Sequence, residues 1–386
     1  VHVLFLHSAW DWSGTARLFS RAGRGISERG AKVSMLVTPD SNVQMAMSPR
    51  RDPSEPRHTP IPEPFEIIPF STEGWFFAAA RRLRRIFRRW DADAIFVTTD
   101  REHLVAATAC WLARNGTVVR WTPSGTKLEL GPAGTFAGRF ARTVYLFATE
   151  TDRRAADLPK TALDSAVAEI GVDASKYPAP RGERAVTEGD SASDQTSSGG
   201  EPLKYVVCIY DPSSRGRAAT AIRTISMLAP RHPNLRLIIV GQGSDDEDLR
   251  MQAAALRVLH LVSFLGERDD AIALMQDAHL GWVVAEGDSG TYGILDLMAL
   301  GVPTVASEGG VAQRYIAHGI SGALYPADDS ASTAAAVAGM LQSEEAREAM
   351  GKAARLRVAR EFPESQTIEG FDRAANLARS RARPAG

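Results

Sequence analysis

The chain of 386 residues lacks any excess of charge: 45 Lys and Arg stand against 46 Asp and Glu, a formal net charge of -1. That balance supplies no global field to draw it toward nucleic acid or an acidic substrate, so any basic site is local. Cysteine is nearly absent. Cys110 and Cys208 fall in apolar runs, which excludes a disulfide framework and metal-ligand spacing and fits a reducing compartment. Long apolar runs are missing too, none approaching the roughly 18 to 20 residues of a membrane span. The opening VHVLFLHSAW has an apolar run of six residues and no basic n-region, so it reads as a buried strand rather than a signal peptide. No cluster of His, Asp and Glu has the spacing of a metal site. The expectation is a cytoplasmic, metal-independent protein, with contact at the inner face of a membrane as the one addition.

What is present is a rhythm. The length suits two domains, and 44% hydrophobic with 24% charged residues is ordinary for globular chains. Short apolar runs alternate with helical patterns at residues 1–6, 32–37, 65–68, 94–98, 117–121 and 144–149, and again at 204–210, 235–240, 259–265, 280–285 and 303–307. This predicts parallel sheets with helices on both faces, hence two doubly wound, Rossmann-like α/β domains facing each other across a cleft. Between Lys176 and Glu201 the chain turns to Ser, Gly, Pro and acids with almost no large apolar groups. Such a segment cannot bury enough surface to offset its ordering entropy and reads as a flexible linker. The division is a first domain over 1–177, a linker over 178–203, a second domain over 204–364 and a last helix within 365–386. Residues 48–64 hold six prolines and read as a loop, either at the cleft rim or plainly on the surface.

Open α/β sheets bind ligands beyond the carboxyl ends of their strands, where helix N-termini aim N–H groups and a positive dipole end at anions. Residues 285–307, AEGDSGTYGILDLMALGVPTVAS, have that form: a strand, a small polar turn, then a helix expected to begin near Ile294. Gly290 and Gly293 permit close backbone approach to a ligand, Tyr292 stands between them, and the hydroxyls of Ser289 and Thr291 can donate to a phosphate or cap the helix. Taken alone, the segment is equally a plain strand-to-helix turn.

The wider sequence resembles the GT-B fold glycosyltransferases, in particular the large retaining family 4. HPNLRLIIVGQGSDDEDL (232–249), LVSFLGERDD (261–270), the stretch 287–329 and AREFP (359–363) follow that family's C-terminal half in order. In the first half, WSGTARLFSRAGRGISERGAKVSMLV (12–37) is similar to its glycine turn, first helix and second strand, and IGVDASKYPAP (170–180) to its exit into the linker.

The resemblance implies a retaining transferase that moves a sugar from a nucleoside diphosphate sugar, a co-substrate rather than a cofactor, to a glycan, lipid-linked or small-molecule acceptor. It places the donor on the second domain. Gly241 and Gly243 become close-approach glycines, and the main chain around Leu265 meets the nucleobase. Asp288 and Asp296 take the places of two glutamates, the first for sugar hydroxyls and the second for the ribose, with Asp288 set ahead of the helix. Ser13, Gly14 and Thr15 present N–H groups toward the diphosphate, and the leaving phosphate itself helps deprotonate the acceptor. Three further positions depart from the family: Tyr210 stands for the clamp arginine, Arg215 for the clamp lysine, and Ser124 where a histidine is usual. Arg217 and Arg223 are further cations near the clamp, although solvated surface is their plainer reading. His7 and His103 are the imidazoles near the expected cleft, more simply structural. The last helix is expected to return to the first domain and, with the linker, to form a hinge. Two alternatives stand beside transfer: a catalytically silent relative acting as a binding or scaffold protein, and a nucleotide-sugar epimerase.

Residues 74–90, GWFFAAARRLRRIFRRW, pack six arginines among aromatic and aliphatic groups. On a helix this separates a broad basic face from an apolar one, as in segments resting on anionic lipid, and residues 75–90 are the candidate for such contact. A solvated face with an inward apolar stripe is the plainer alternative.

Overall fold

The computed structural model describes residues 1–47, 64–180, 202–268, 270–326 and 329–382, excluding the side chains of 381 and 382. The proline-rich loop and most of the expected linker lie outside the described residues. The chain divides into two compact units, Val1–Ile170 with Glu364–Gly386, and Gly171–Pro363. Residues 171–177, given to the first domain from sequence, therefore sit in the second. The reason is local: Val172 N donates to the Phe362 carbonyl at 3.0 Å, and Arg355 donates to the carbonyls of Ala174, Tyr177 and Pro178.

The first unit is built on seven parallel strands: β1 (His2–His7), β2 (Lys32–Val37), β3 (Glu66–Pro69), β4 (Ala94–Val97), β5 (Thr117–Thr122), β6 (Thr143–Phe147) and β7 (Ala162–Val167). Their order is β3-β2-β1-β4-β5-β6-β7. The central strands are apolar and buried along nearly their whole length, as a sheet covered on both faces requires. The helix Glu364–Ala382 belongs to this unit and packs on its sheet: Phe371 is fully buried, with ring centroids 5.2 Å from Phe96 and 5.4 Å from Trp121. Gly370 makes the approach possible, since a Cβ there would lie 2.4 Å from Ala168 Cα.

The second unit holds six parallel strands, β8 (Lys204–Ile209), β9 (Leu235–Val240), β10 (Val262–Phe264), β11 (Leu280–Val283), β12 (Thr304–Ser307) and β13 (Gly322–Tyr325), in the order β10-β9-β8-β11-β12-β13. Its core centres on Trp282, fully buried, whose indole N–H donates to the Tyr325 hydroxyl at 2.6 Å. The apolar run 259–265 is a strand only over Val262–Phe264; Leu259–Leu261 is a 3-10 turn with Leu259 exposed. β7 and β13 are strands that the apolar-run reading passes over. Both are sheet edges, and β7 (ALDSAV) is half polar and half buried. Cys110 and Cys208 are buried free thiols, and burial pushes the Cys110 thiol up to about 12. Among the described residues no helix is long and apolar enough to cross a membrane.

Candidate functional site

In the second unit β8 and β11 are neighbours whose onward connections run to opposite sides of the sheet, so a crevice opens beyond their carboxyl ends. Val284 N and Ala285 N both donate to the Ile209 carbonyl at 3.1 Å, pinning the exit of β11 to that of β8. Asp211, just past β8, accepts from Ser213 N at 2.8 Å to cap the turn Pro212–Ser214, and its second oxygen accepts from Glu286 N at 2.7 Å. One carboxylate thus spans the switch point. The Asp-Pro pair that marks this cap is legible in the sequence, but its reach to Glu286 is not.

The helix after β11 runs Gly287–Ala299, so it starts seven residues earlier than Ile294, and Asp288 lies inside its first turn rather than ahead of it. Glu286, with φ -111° and ψ 176°, is the extended cap residue, and Gly290 N donates to its carbonyl at 2.9 Å. The glycines explain the early start. A Cβ on Gly290 would lie 2.2 Å from the Ala285 carbonyl oxygen, and one on Gly293 would lie 3.0 Å from an Ile209 methyl. Both are accounted for by the helix packing on its own sheet, not by room for a ligand. The Thr291 hydroxyl donates back to the Gly287 carbonyl at 3.0 Å, Tyr292 is buried, and Ser289 is half-buried at the helix mouth. Asp288, 3% exposed, puts an acid in the first turn, where the helix dipole favours it.

The loops after β9 and β10 complete the rim. Gly241 takes φ +135°; a Cβ there would strike the Tyr210 carbonyl at 2.1 Å, and its N–H donates to the Gly266 carbonyl at 2.9 Å. Gly243 also needs its left-handed φ of +69°, and Leu265 N donates to the Ile239 carbonyl at 3.0 Å. Tyr210 is buried, and burial raises its hydroxyl above the usual tyrosine range. Arg215, 57% exposed, pairs with Asp246 at 2.6 Å and Asp248 at 3.0 Å, and the Asp246 carboxylate foremost holds its guanidinium above the ordinary value. Arg217 donates through Nε to the Val284 carbonyl at 3.0 Å and pairs with Glu286.

Asp296 lies eight residues beyond Asp288 on one helix, about 12 Å along its axis, so the two acids are separated rather than gathered. Asp296 is 3% exposed and accepts from the Tyr177 hydroxyl. Sequence reading passed over Tyr177, because its partner is 119 residues away.

In the first unit the crevice opens between β1 and β4. Ser13, Gly14 and Thr15 open the helix Gly14–Glu28, with the Ser13 hydroxyl accepting from Ala16 N at 3.2 Å and lying 3.5 Å from His7 Nε2. The fully buried Glu102 joins the two strand exits, accepting from Ser8 N at 2.6 Å, Ser8 Oγ at 2.7 Å, Thr98 N at 2.8 Å and Thr99 N at 2.9 Å. Its signal was available as the capping box Thr99 to Glu102. His103 is buried against Thr143 and Arg120, and Ser124 is buried.

The basic helix, Phe76–Trp90, turns Ala79, Ala80, Leu83 and Phe87 into the core of the first unit and leaves Arg81, Arg82, Arg85, Arg88 and Arg89 exposed. Its apolar stripe is therefore already occupied. At its start Trp75 is 68% exposed, its ring tilted against that of Phe77 with centroids 5.5 Å apart, and from Phe77 a chain of ring contacts runs through Phe140 to the exposed Trp111 and Phe136.

Residues 204–357 match the family model described as Glycosyl transferases group 1. The second unit carries a group 1 glycosyl transferase domain. A phosphatidyl-myo-inositol mannosyltransferase of Mycolicibacterium smegmatis is 36% identical over 146 residues, a match spanning only 36% of this chain and 36% of that relative. Two solved structures are similar over almost the whole chain. Anabaena HepE, in complex with UDP and glucose, has a TM-score of 0.74 at 17% identity, covering 97% of this chain and 99% of that one. WaaG, a glycosyltransferase involved in lipopolysaccharide biosynthesis, has a TM-score of 0.67 at 15% identity, covering 98% and 99%. At such identities the likeness establishes the fold: two Rossmann-like units, GT-B. Asp288, Asp296 and the rim glycines all fall within the matched residues.

Proposed function

We propose that this chain is a retaining glycosyltransferase that takes a sugar from a nucleoside diphosphate sugar. The observation that carries the reading is the switch-point crevice of the group 1 domain, where a polar helical start faces a rim of left-handed glycines. In this reading the first turn of the Gly287–Ala299 helix, which includes Ser289, and a cation at the opening of the Arg215–Leu228 helix hold the diphosphate. Asp288 meets sugar hydroxyls and Asp296 the ribose. Gly241, Gly243 and Leu265 border the base. Charge stabilisation comes from fixed donors and a guanidinium, so no metal is called for. HepE in complex with UDP and glucose, and the mannosyltransferase relative, support a nucleotide sugar as the partner.

For the acceptor we infer a lipid-linked or membrane-surface molecule. The basic face of Phe76–Trp90, together with the exposed rings of Trp75, Trp111 and Phe136, suits peripheral contact with an anionic membrane. A mannosyltransferase acting on phosphatidyl-myo-inositol is consistent with that acceptor class.

The test is release of nucleoside diphosphate from UDP-, GDP- and ADP-linked glucose and mannose, with and without lipid extract as acceptor. Acceptor-dependent release that falls about a hundredfold in Asp288→Asn is expected, the scale of losing one preorganised polar contact. Nucleotide binding with neither transfer nor hydrolysis would leave a silent binding protein instead.

A further inference from the structure

A leaving diphosphate needs fixed positive charge, and the start of the Arg215–Leu228 helix offers two guanidiniums, Arg215 and Arg217. Residues two apart on a helix project about 200° from one another, so these side chains diverge. Arg215 turns to the start of the Glu247–Ala255 helix, where the cap residue Asp246 and Asp248 in the first turn both pair with it. The Asp246 side chain is only 10% exposed, so it holds this guanidinium firmly and does not yield its place.

Arg217 turns the other way. Its Nε bond to the Val284 carbonyl and its pairing with Glu286 place the guanidinium against the residues just ahead of the Gly287–Ala299 helix. The Val284 bond anchors the group without help from Glu286. The Glu286 carboxylate is 56% exposed, and exposed pairs are weak, so it yields its place to a more highly charged anion. Asp211, the neighbouring acid, is already engaged by Ser213 N and Glu286 N. A planar fork beside a helix start suits phosphate oxygens, which take its outer nitrogens in pairs.

We propose that Arg217, rather than Arg215, is the guanidinium that meets the donor's diphosphate, and that Arg215 anchors the start of the Glu247–Ala255 helix. The proposal rests on the sugar-transfer reading but makes a separate demand. The full-length protein is titrated calorimetrically with UDP, GDP and ADP and with the matching monophosphates. At least one diphosphate should bind more tightly than its monophosphate. Arg217→Gln should lower that diphosphate affinity about tenfold while changing monophosphate affinity less, as loss of a charge-assisted contact to the outer phosphate requires. Arg217→Lys should recover part of the loss, and Arg215→Gln should weaken binding less than Arg217→Gln does. Should Arg217→Gln fail to fold, Arg217→Lys against Arg215→Lys makes the same comparison, since each keeps its charge and loses the fork. A larger loss at Arg215, or equal losses for diphosphate and monophosphate in the Arg217 variant, overturns this assignment alone. A wild-type chain that binds no nucleoside diphosphate overturns both it and the transferase reading.

Discussion

The Tyr177 hydroxyl donates to Asp296 Oδ1 at 2.5 Å, tying the opening segment of the second unit to the buried side of the Gly287–Ala299 helix. Arg355 secures the same segment by donating to the carbonyls of Ala174, Tyr177 and Pro178, and also to that of Ala299 near the helix end. Asp296 is thus held from outside its own helix. Removing the phenol leaves a buried carboxylate without this donor, a loss of about 2 kcal/mol on the scale of hydrogen bonds to charged groups. Tyr177→Phe should lower the urea midpoint accordingly, with no change in the denaturant slope, and raise the KM for donor more than it lowers kcat. An unchanged midpoint would show that the contact contributes nothing.

The alternation of apolar runs and helical patterns made both sheets legible, because parallel strands buried on two faces read as continuous apolar stretches. β7 escaped, since a half-polar edge strand lacks that signature. The candidate helix was legible as an element but not in its start. Gly290 reads locally as a turn, whereas its role is to let the first turn settle on the Ala285 carbonyl, a contact only the fold reveals. Arg215 and Arg217 look interchangeable in sequence. What separates them is the position of Asp246 and Asp248 on one side and of Val284 and Glu286 on the other.

The arginine face offers a second prediction. With Ala79, Ala80, Leu83 and Phe87 already buried, lipid contact falls to the exposed arginines and to the rings of Trp75, Trp111 and Phe136. Each basic group near an anionic surface contributes about 1 kcal/mol. Reversing Arg81, Arg85 and Arg88 to Glu should therefore reduce co-sedimentation with vesicles containing phosphatidylglycerol by well over tenfold, and binding to pure phosphatidylcholine should be weak throughout. Wild-type protein that ignores anionic vesicles at low salt would remove the membrane from the proposal and leave the donor site untouched.

A third prediction concerns acid. His103 is buried, with Nε2 2.8 Å from the Thr143 hydroxyl and Nδ1 3.5 Å from the Arg120 guanidinium, itself paired with Asp100 at 2.7 Å. Burial first, and the Arg120 charge second, push this imidazole down from 6.5 to about 3. Its folded value lies below its unfolded one, so between them the unfolded chain binds the extra proton. The stability due to neutral His103 is whole above pH 6.5 and is lost as pH falls toward 3, by about 1.4 kcal/mol per pH unit within that window. His103→Gln keeps a polar group for Thr143 and removes the titration. Urea denaturation of both proteins from about pH 7 to pH 4 should give the variant a slope shallower by that amount. His2, also lowered by burial, acts with the same sign in both proteins and cancels in the comparison. Parallel pH profiles would mean that the imidazole gains a proton without opening the first unit, and that its burial does not govern acid stability.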